Sequence, residues 1–292
     1  MAWPDGSPEW PPPFPTVDPP TYTAPATTDY VLGGYHEFDG TDEYIDHGRI
    51  PALEVDTGDT WTIAAWAKQG VSDAEIIFSV TDGVTDQLWI QYSTDFFLAK
   101  LRLGGSTYVV RTATTLDTTA WNHLVATCDG ADITLFLNGR EVSKVVATGS
   151  YPGSSATWSA TTAVTIGFTP TVYFNGKIAE VAMWSTDQAA NVGAIYNARL
   201  RHNLMDLASP PDLFYTPLTS FGDNPDGTAG GVFEGSGAGN DGTGVNMETA
   251  DAVVTPTTVT STLTRVLDLA TGVVTLTKVE DVPSTGVGGR FP

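Results

Sequence analysis

The chain has 292 residues, of which 41% are hydrophobic and 16% charged, enough apolar material for one large all-β domain or two smaller ones and too much for a disordered chain. Asp and Glu number 34 against 13 Lys and Arg, a net charge of −21, so DNA or RNA is repelled over most of the surface and nucleic-acid binding is not expected. Cys128 is the one cysteine, which excludes an intrachain disulfide and a thiolate zinc cluster.

Residues 1–29 carry nine prolines in their first 25 positions. Proline lacks the N–H that a ladder needs and favours extended geometry, so this segment cannot build a core. It has neither a basic start nor an apolar h-region and does not read as a signal peptide. Trp3, Trp10, Phe14 and Tyr22 are interleaved with the prolines, which suggests an arm that lays its rings into another surface. No apolar run approaches the ~20 residues that span a bilayer, and no membrane insertion is expected.

The stretch "YHEFDGTDEYIDHG", residues 35–48, packs two histidines and five carboxylates into fourteen residues. On its own it is either a strand or an acid/base or metal site. From there to about residue 185 the signal is short strands with turn punctuation. "TWTIAAWAK" alternates with period 2, placing Trp61, Ile63 and Ala65 on one face and Thr62, Ala64 and Trp66 on the other. Apolar groups on both faces predict a strand inside a sandwich. Cys128, in "LVATCD", reads as a buried strand thiol. "DITLFLNGREV" predicts a hairpin, because Asn138-Gly139 tolerates the two positive φ angles of a type I′ turn. Asp82-Gly83, Asp129-Gly130 and Asn175-Gly176 punctuate similarly.

One short amphipathic helix is predicted after "VAMWSTDQAANVGAIYNARL". Ser185 and Gln188 have capping-box spacing, Val192, Ile195 and Tyr196 form an apolar stripe, and Arg199 and Arg201 suit its C-terminal dipole. Nine glycines between Gly222 and Gly244, with Asp223, Asp226 and Asp241 among them, predict an irregular extension with little core over residues 211–250. Residues 251–292 turn β-like, with two strands around Thr271-Gly272. The domain plan is thus an arm (1–29), a main domain (30–210), an extension (211–250) and a C-terminal hairpin and tail (251–292).

Four ordered stretches, "FDGTDEYIDHG", "WTIAAWAKQG", "WNHLVATCDGADITLFLNGREV" and "TIGFTPTVYFNGKIAEVAMWSTDQAANVGAIYNA", resemble the laminin-G-like jelly rolls of the concanavalin A-like lectin/glucanase superfamily. The resemblance covers roughly residues 33–200. It implies an all-β antiparallel sandwich, with Phe38 pointing to the core, Asp39-Gly40 in a turn, and Tyr44 and Ile45 resuming the sheet. Because relatives often hold calcium with acidic loops, it also implies a calcium site from Asp39, Asp42 and Glu180, although Ala179 stands where many relatives have a second acid. Glucanases of this fold use a strand with an E-x-D-x-x-E pattern, which Glu37, Asp39 and Asp42 approach, so a glycosidase is one alternative. Here the last acid is Asp42 and the stretch matches the first strand rather than a mid-sheet catalytic one, and the chain is not expected to be an enzyme. Laminin-G-like modules bind glycans or proteins, and Trp66, Trp89, Tyr92 and Tyr173 are candidate sugar platforms.

A domain that works outside cells, in a chain with no export signal and with an aromatic-proline arm, fits a virus particle. The segment from Pro211 to Gly244 also resembles extensions that follow this domain in bacteriophage-encoded copies. The expectation is a virion structural protein, a capsid decoration or fibre component. It would be anchored by the arm to other virion proteins, homo-oligomeric, and would display the jelly roll toward a host surface glycan. A free glycan-binding module or host-adsorption adhesin is the alternative.

Overall fold

A computed structural model of the chain describes residues 34–71, 73–83, 85–170, 172–197, 204–218, 232, 240–247, 251–253, 260–267 and 274–281. The arm with Trp3, Trp10, Phe14 and Tyr22, and the positions Arg199, Arg201, Asp223, Asp226 and Thr271-Gly272, lie outside the described residues. The chain divides into two units, and the larger holds the described residues from 34 to 253.

In chain order its strands are β1 (Tyr35–Asp39), β2 (Tyr44–Asp46), β3 (Thr60–Gln69), β4 (Ala74–Thr81), β5 (Gln87–Ser93), β6 (Phe96–Leu103), β7 (Ser106–Thr112), β8 (Asn122–Asp129) and β9 (Ile133–Leu137). They continue as β10 (Arg140–Glu141), β11 (Lys144–Gly149), β12 (Ala163–Ile166), β13 (Phe168–Thr169), β14 (Val172–Tyr173), β15 (Asn175–Trp184), β16 (Phe214–Thr216), β17 (Thr243–Val245) and β18 (Ala252–Val253). Sheet 1 runs β10-β9-β8-β3-β15-β1-β18, with β16 also on β15, and sheet 2 runs β11-β7-β6-β5-β4-β12-β2-β17. All pairings are antiparallel, so the expected all-β jelly-roll sandwich is the architecture found.

The two sheets share one core. Trp61, Ile63 and Ala65 of β3 meet Leu88, Ile90 and Tyr92 of β5 within a single buried cluster, and each large side chain removed from water contributes about 1.5–3 kcal/mol. The other face of sheet 1 is covered as well. Ala64, Val125, Ala182 and Trp184 form a second cluster beneath Val192 and Ile195 of the helix α1 (Val192–Tyr196), with Leu204 and Tyr215. This is why β3 is apolar on both faces.

β15 serves two partners on one edge. Its first half pairs with β1 and its second with β16, and a bulge lies between Ala179 and Ala182. Glu180 stands there with φ +49° and donates its N–H to the Pro217 carbonyl at 3.1 Å. A bulge reaims the strand where one ladder gives way to another.

The expected Asn138-Gly139 turn has both φ angles positive, +50° and +77°, and joins β9 to β10. Asn175-Gly176 differs from expectation, since it opens β15 rather than making a turn. Gly176 has φ +138°, and a Cβ there would lie 2.2 Å from the Lys68 carbonyl oxygen. The capping box is also not formed: the Ser185 hydroxyl donates to the Asp212 carboxylate and the Gln188 N–H to Thr62 Oγ1. The apolar stripe does hold, with Val192 and Ile195 buried and Tyr196 stacked on Trp66. The segment 211–250, expected to have little core, places Phe214, Leu218, Val232 and Met247 in the main cluster and adds β16 and β17 to the sheets.

The smaller unit contains an antiparallel hairpin of β19 (Thr260–Leu267) and β20 (Val274–Asp281), in register from Thr260 with Asp281 to Leu267 with Val274. Its two strands are those expected around Thr271-Gly272.

Candidate functional site

The opening acidic stretch is structural. Phe38 and Ile45 are buried, and Gly40 takes φ +78° in the turn between β1 and β2. His36 is buried, and burial first, then the nearby His47, holds its imidazole down to about 3, so it stays neutral. His47 bonds through Nδ1 to the Asn240 carbonyl at 2.7 Å. Asp39 accepts the Thr41 N–H at 2.7 Å, and its own N–H donates to Glu43 Oε2 at 2.6 Å. Glu37 is exposed, with Lys177 4.0 Å away.

The sandwich does not bring Asp39, Asp42 and Glu180 together as a calcium set. Asp39 pairs with Asn175, and Glu180 lies five residues further along β15, about 15 Å at the rise of a strand. Asp39 and Asp42 are exposed while Glu180 is buried. Among the described residues no group of three or more His, Cys, Asp and Glu side chains is gathered as a metal ion would require.

The four sugar-platform candidates separate. Tyr92 is on the core side of β5, fully buried, and its hydroxyl donates to the Ala67 carbonyl at 3.1 Å; it cannot be a sugar platform. Trp66 lies on the outer face of sheet 1 but is closed over by His123 and Tyr196, with ring centroids 5.0 and 5.7 Å away, and it too is withdrawn from any ligand. Trp89 and Tyr173 share the outer side of sheet 2. Tyr173 belongs to the β13–β14 hairpin, in a cluster with Tyr44 and Phe168. Phe168 anchors this hairpin by accepting hydrogen bonds from Ser79 Oγ and Thr165 Oγ1 at 3.0 and 2.7 Å. Ser79 sits directly opposite Trp89 in the ladder.

Strand alternation builds the face around Trp89. β5 reads QLWIQYS with Leu88, Ile90 and Tyr92 inward and Gln87, Trp89 and Gln91 partly exposed. The ladder sets Lys100 of β6 beside Trp89, Arg102 beside Gln87, and Arg111 of β7 beside Leu98. Lys100 Nζ braces the Trp89 ring at 3.9 Å from its centroid, and Arg111 lies 4.0 Å over Phe96, both cation–π geometries. Burial, and then the neighbouring Arg102, lower the Lys100 ammonium from its ordinary value.

Three polar atoms here stand out. The Gln87 amide oxygen, the Trp89 indole N–H and Arg102 Nε are shielded from solvent and make no hydrogen bond. A shielded polar group without a partner costs about 1–3 kcal/mol, a cost also met away from this face at Trp61 Nε1 and Thr112 Oγ1. The aromatic pair at Tyr35 and Trp121 contrasts with this. Lys177 lies over the Tyr35 ring and donates to its hydroxyl at 3.0 Å.

Sequence reasoning missed Gln87, Lys100, Arg102 and Arg111. The signal that could have found them is the polar phase of β5, β6 and β7, which period 2 assigns to one face once the strands are aligned.

The Laminin_G_3 model of the concanavalin A-like lectin/glucanases superfamily matches residues 39–190, more than half of the chain. No curated protein is significantly similar in sequence. Among solved structures, a candidate carbohydrate-binding protein from Bacteroides ovatus is similar at 14% identity and TM-score 0.48, over 87% of this chain and 62% of that one. Domains LG4-5 of the mouse laminin α1 chain are similar at 15% identity and TM-score 0.41, over 60% of this chain and 48% of that one. The CBM40 of a Ruminococcus gnavus IT-sialidase, bound to α2,3-sialyllactose, is similar at 16% identity and TM-score 0.43, over 58% of this chain and 100% of that one. The chain thus spans less than two thirds of the first two structures. By its family match and its two-sheet jelly roll, the chain belongs to the Laminin_G_3 family of the concanavalin A-like lectin/glucanases superfamily.

Proposed function

We propose that this domain is a glycan-binding module whose site is the outer face of sheet 2, with Trp89 as the stacking platform and Gln87 and Arg102 as its hydrogen-bonding flank. A sugar ring offers one face of C–H groups to an aromatic ring and a rim of hydroxyls to planar polar side chains. The observation that carries the reading is a partly exposed row on one face, Gln87, Trp89 and Gln91 of β5 set beside Lys100 and Arg102 of β6. The Gln87 amide and the Arg102 guanidinium lie side by side next to the Trp89 ring, where planar polar groups can meet a sugar's hydroxyls. On sheet 1 the outer side around Ala64, Val125 and Trp184 is covered by α1, Leu204 and Tyr215.

The virion role expected from the sequence draws on residues 1–29, outside the described residues, and the described residues add no observation to it. The glycosidase alternative is weakened by the surroundings of its carboxylates, since Asp39 is engaged in its own turn and Glu37 faces Lys177.

The test is titration of soluble polysaccharides, neutral and acidic, followed by calorimetry and by tryptophan fluorescence. Saturable binding that weakens at least about tenfold in Trp89→Ala, with the melting temperature kept, is the expected result. Binding that is indifferent to Trp89 would refute the site.

A further inference from the structure

The same face gathers cations: its strands β6 and β7 carry Lys100, Arg102 and Arg111. Lys100, Arg102 and Arg111 project from neighbouring positions of β6 and β7. Lys100 and Arg102 are two residues apart on one face, about 7 Å at the rise of a strand, and Arg111 is a diagonal neighbour of Lys100 across the ladder, also within about 8 Å. Among the described residues none of the three is ion-paired. The described ion pairs use Arg49, Lys144 and Lys177; Lys100 contacts the Trp89 ring, and Arg111 contacts the Phe96 ring and donates to the Thr112 carbonyl at 3.4 Å.

The chain as a whole has 34 acids and 13 bases, and this face departs from that balance. The outward positions of β5, β6 and β7 are Gln, Trp, Ser, Phe, Leu, Lys, Arg, Thr and Val, with no Asp or Glu among them. The register makes these charges a row with Lys100 in the middle, and the neighbouring Arg102 contributes, after burial, to the lowering of the Lys100 ammonium. A negative charge brought to the face relieves the repulsion within this row. Arg102 is partly exposed, and its planar guanidinium has a fork geometry that matches a carboxylate or a sulfate.

We infer that the ligand of this face is an acidic glycan, a polymer whose sugars carry carboxylate or sulfate groups, seated with a ring against Trp89 and its anionic groups along the row Arg111, Lys100, Arg102. The inference rests on the glycan-binding reading and adds the ligand's charge to it. The strongly acidic remainder of the surface disfavours polyanions that lack the matching sugar geometry.

The experiment uses the full chain and four probes: polygalacturonate, its fully methyl-esterified neutral form, dextran sulfate and dextran. Affinities are measured by calorimetry at low and moderate salt. The expected result is that at least one charged polymer binds about tenfold or more tightly than its neutral counterpart, that salt narrows the gap, and that Arg111→Gln and Arg102→Gln each cut the charged-to-neutral ratio several-fold with unchanged melting temperatures. Preference for polygalacturonate alone identifies carboxylate as the recognised group, and preference for dextran sulfate alone identifies sulfate. Equal binding of charged and neutral forms would overturn the charge inference while leaving glycan binding intact. Binding of none of the four would overturn both.

Discussion

Glu75 gives the sharpest test of how the interior is built. Its side chain lies at one end of the core, 3% exposed, and accepts a hydrogen bond from Gln69 Nε2 at 2.9 Å. Burial is the main cause that pushes its carboxyl from 4.5 up to about 7, with Asp73 adding to it, while the Gln69 bond and the Asn175 N–H pull the other way. In the unfolded chain the same carboxyl titrates at its ordinary value. Between pH 4.5 and 7 the folded state therefore holds a proton that the unfolded state has lost, and stability must fall across that window as pH rises. At about 1.4 kcal/mol for each pH unit between the two values, the cost reaches roughly 3 kcal/mol by pH 8. Glu75→Gln removes the titration and keeps the shape. The variant should match the parent at pH 4 and exceed it at pH 8 by up to about 3 kcal/mol, or roughly 6–12 °C in melting temperature for a unit of this size. Urea unfolding of both proteins at half-unit steps from pH 4 to 8 measures the difference directly, and because both chains share every other titrating group, the general charge repulsion cancels. Parallel stability curves would show that Glu75 is ionised without penalty and would refute the reasoning.

Other substitutions test the fold at defined points. Gly176→Ala forces a Cβ toward the Lys68 carbonyl at 2.2 Å in a backbone that L-residues avoid, so a loss above about 2 kcal/mol is expected in chemical denaturation; a loss under 0.5 would show that the β3–β15 ladder shifts freely. Phe174 is fully buried, edge-on to Phe38 at 6.1 Å and stacked near Tyr92 at 6.5 Å, and Phe174→Ala should cost about 3–5 kcal/mol by the same assay. Asn138→Ala retains φ +50° and loses the bond its side-chain oxygen accepts from the His123 N–H at 2.9 Å, which predicts a loss of about 1–2 kcal/mol, whereas Asn138→Gly should lose less.

What was legible in the sequence follows from the range of each signal. The strand β3, the Asn138-Gly139 turn and the path of Phe38, Asp39-Gly40 and Ile45 are written in local periodicity and in residues that tolerate positive φ. The pairing of Phe214–Thr216 with β15 and of Thr243–Val245 with β2 is not, since these are three-residue strands, the first among prolines and the second among glycines, and their partners lie 30 to 200 residues away. The capping box at Ser185 failed for the same reason: Asp212, distant in sequence, captures the hydroxyl. The site was half legible. Trp89 and Tyr92 are three residues apart, so period 2 alone forbids both from facing one ligand. Choosing between them needed the knowledge of which phase meets Ile90 and the core. The cations were hidden by their dispersal over three strands, and become a cluster only through the β5-β6-β7 register.

Trp66 and Trp89 together decide whether the outer faces have been assigned correctly. A two-layer sandwich has two outer faces, and in this chain the one on sheet 1 is occupied by α1, Leu204 and Tyr215. Trp66 is 7% exposed beneath Tyr196 and His123, so its work is to hold that cover down. Trp66→Ala should therefore destabilise by about 3 kcal/mol or more and leave the affinity of the folded protein for glycan unchanged. Trp89 is braced by Lys100 and carries an unbonded indole N–H, so Trp89→Ala should cost less stability and remove most of the affinity. Measured side by side, melting temperature and glycan affinity should move oppositely in the two variants. If Trp66→Ala were instead the variant that loses binding at intact stability, the ligand face would be that of sheet 1, and the cover formed by α1 would have to be a gate rather than a part of the core.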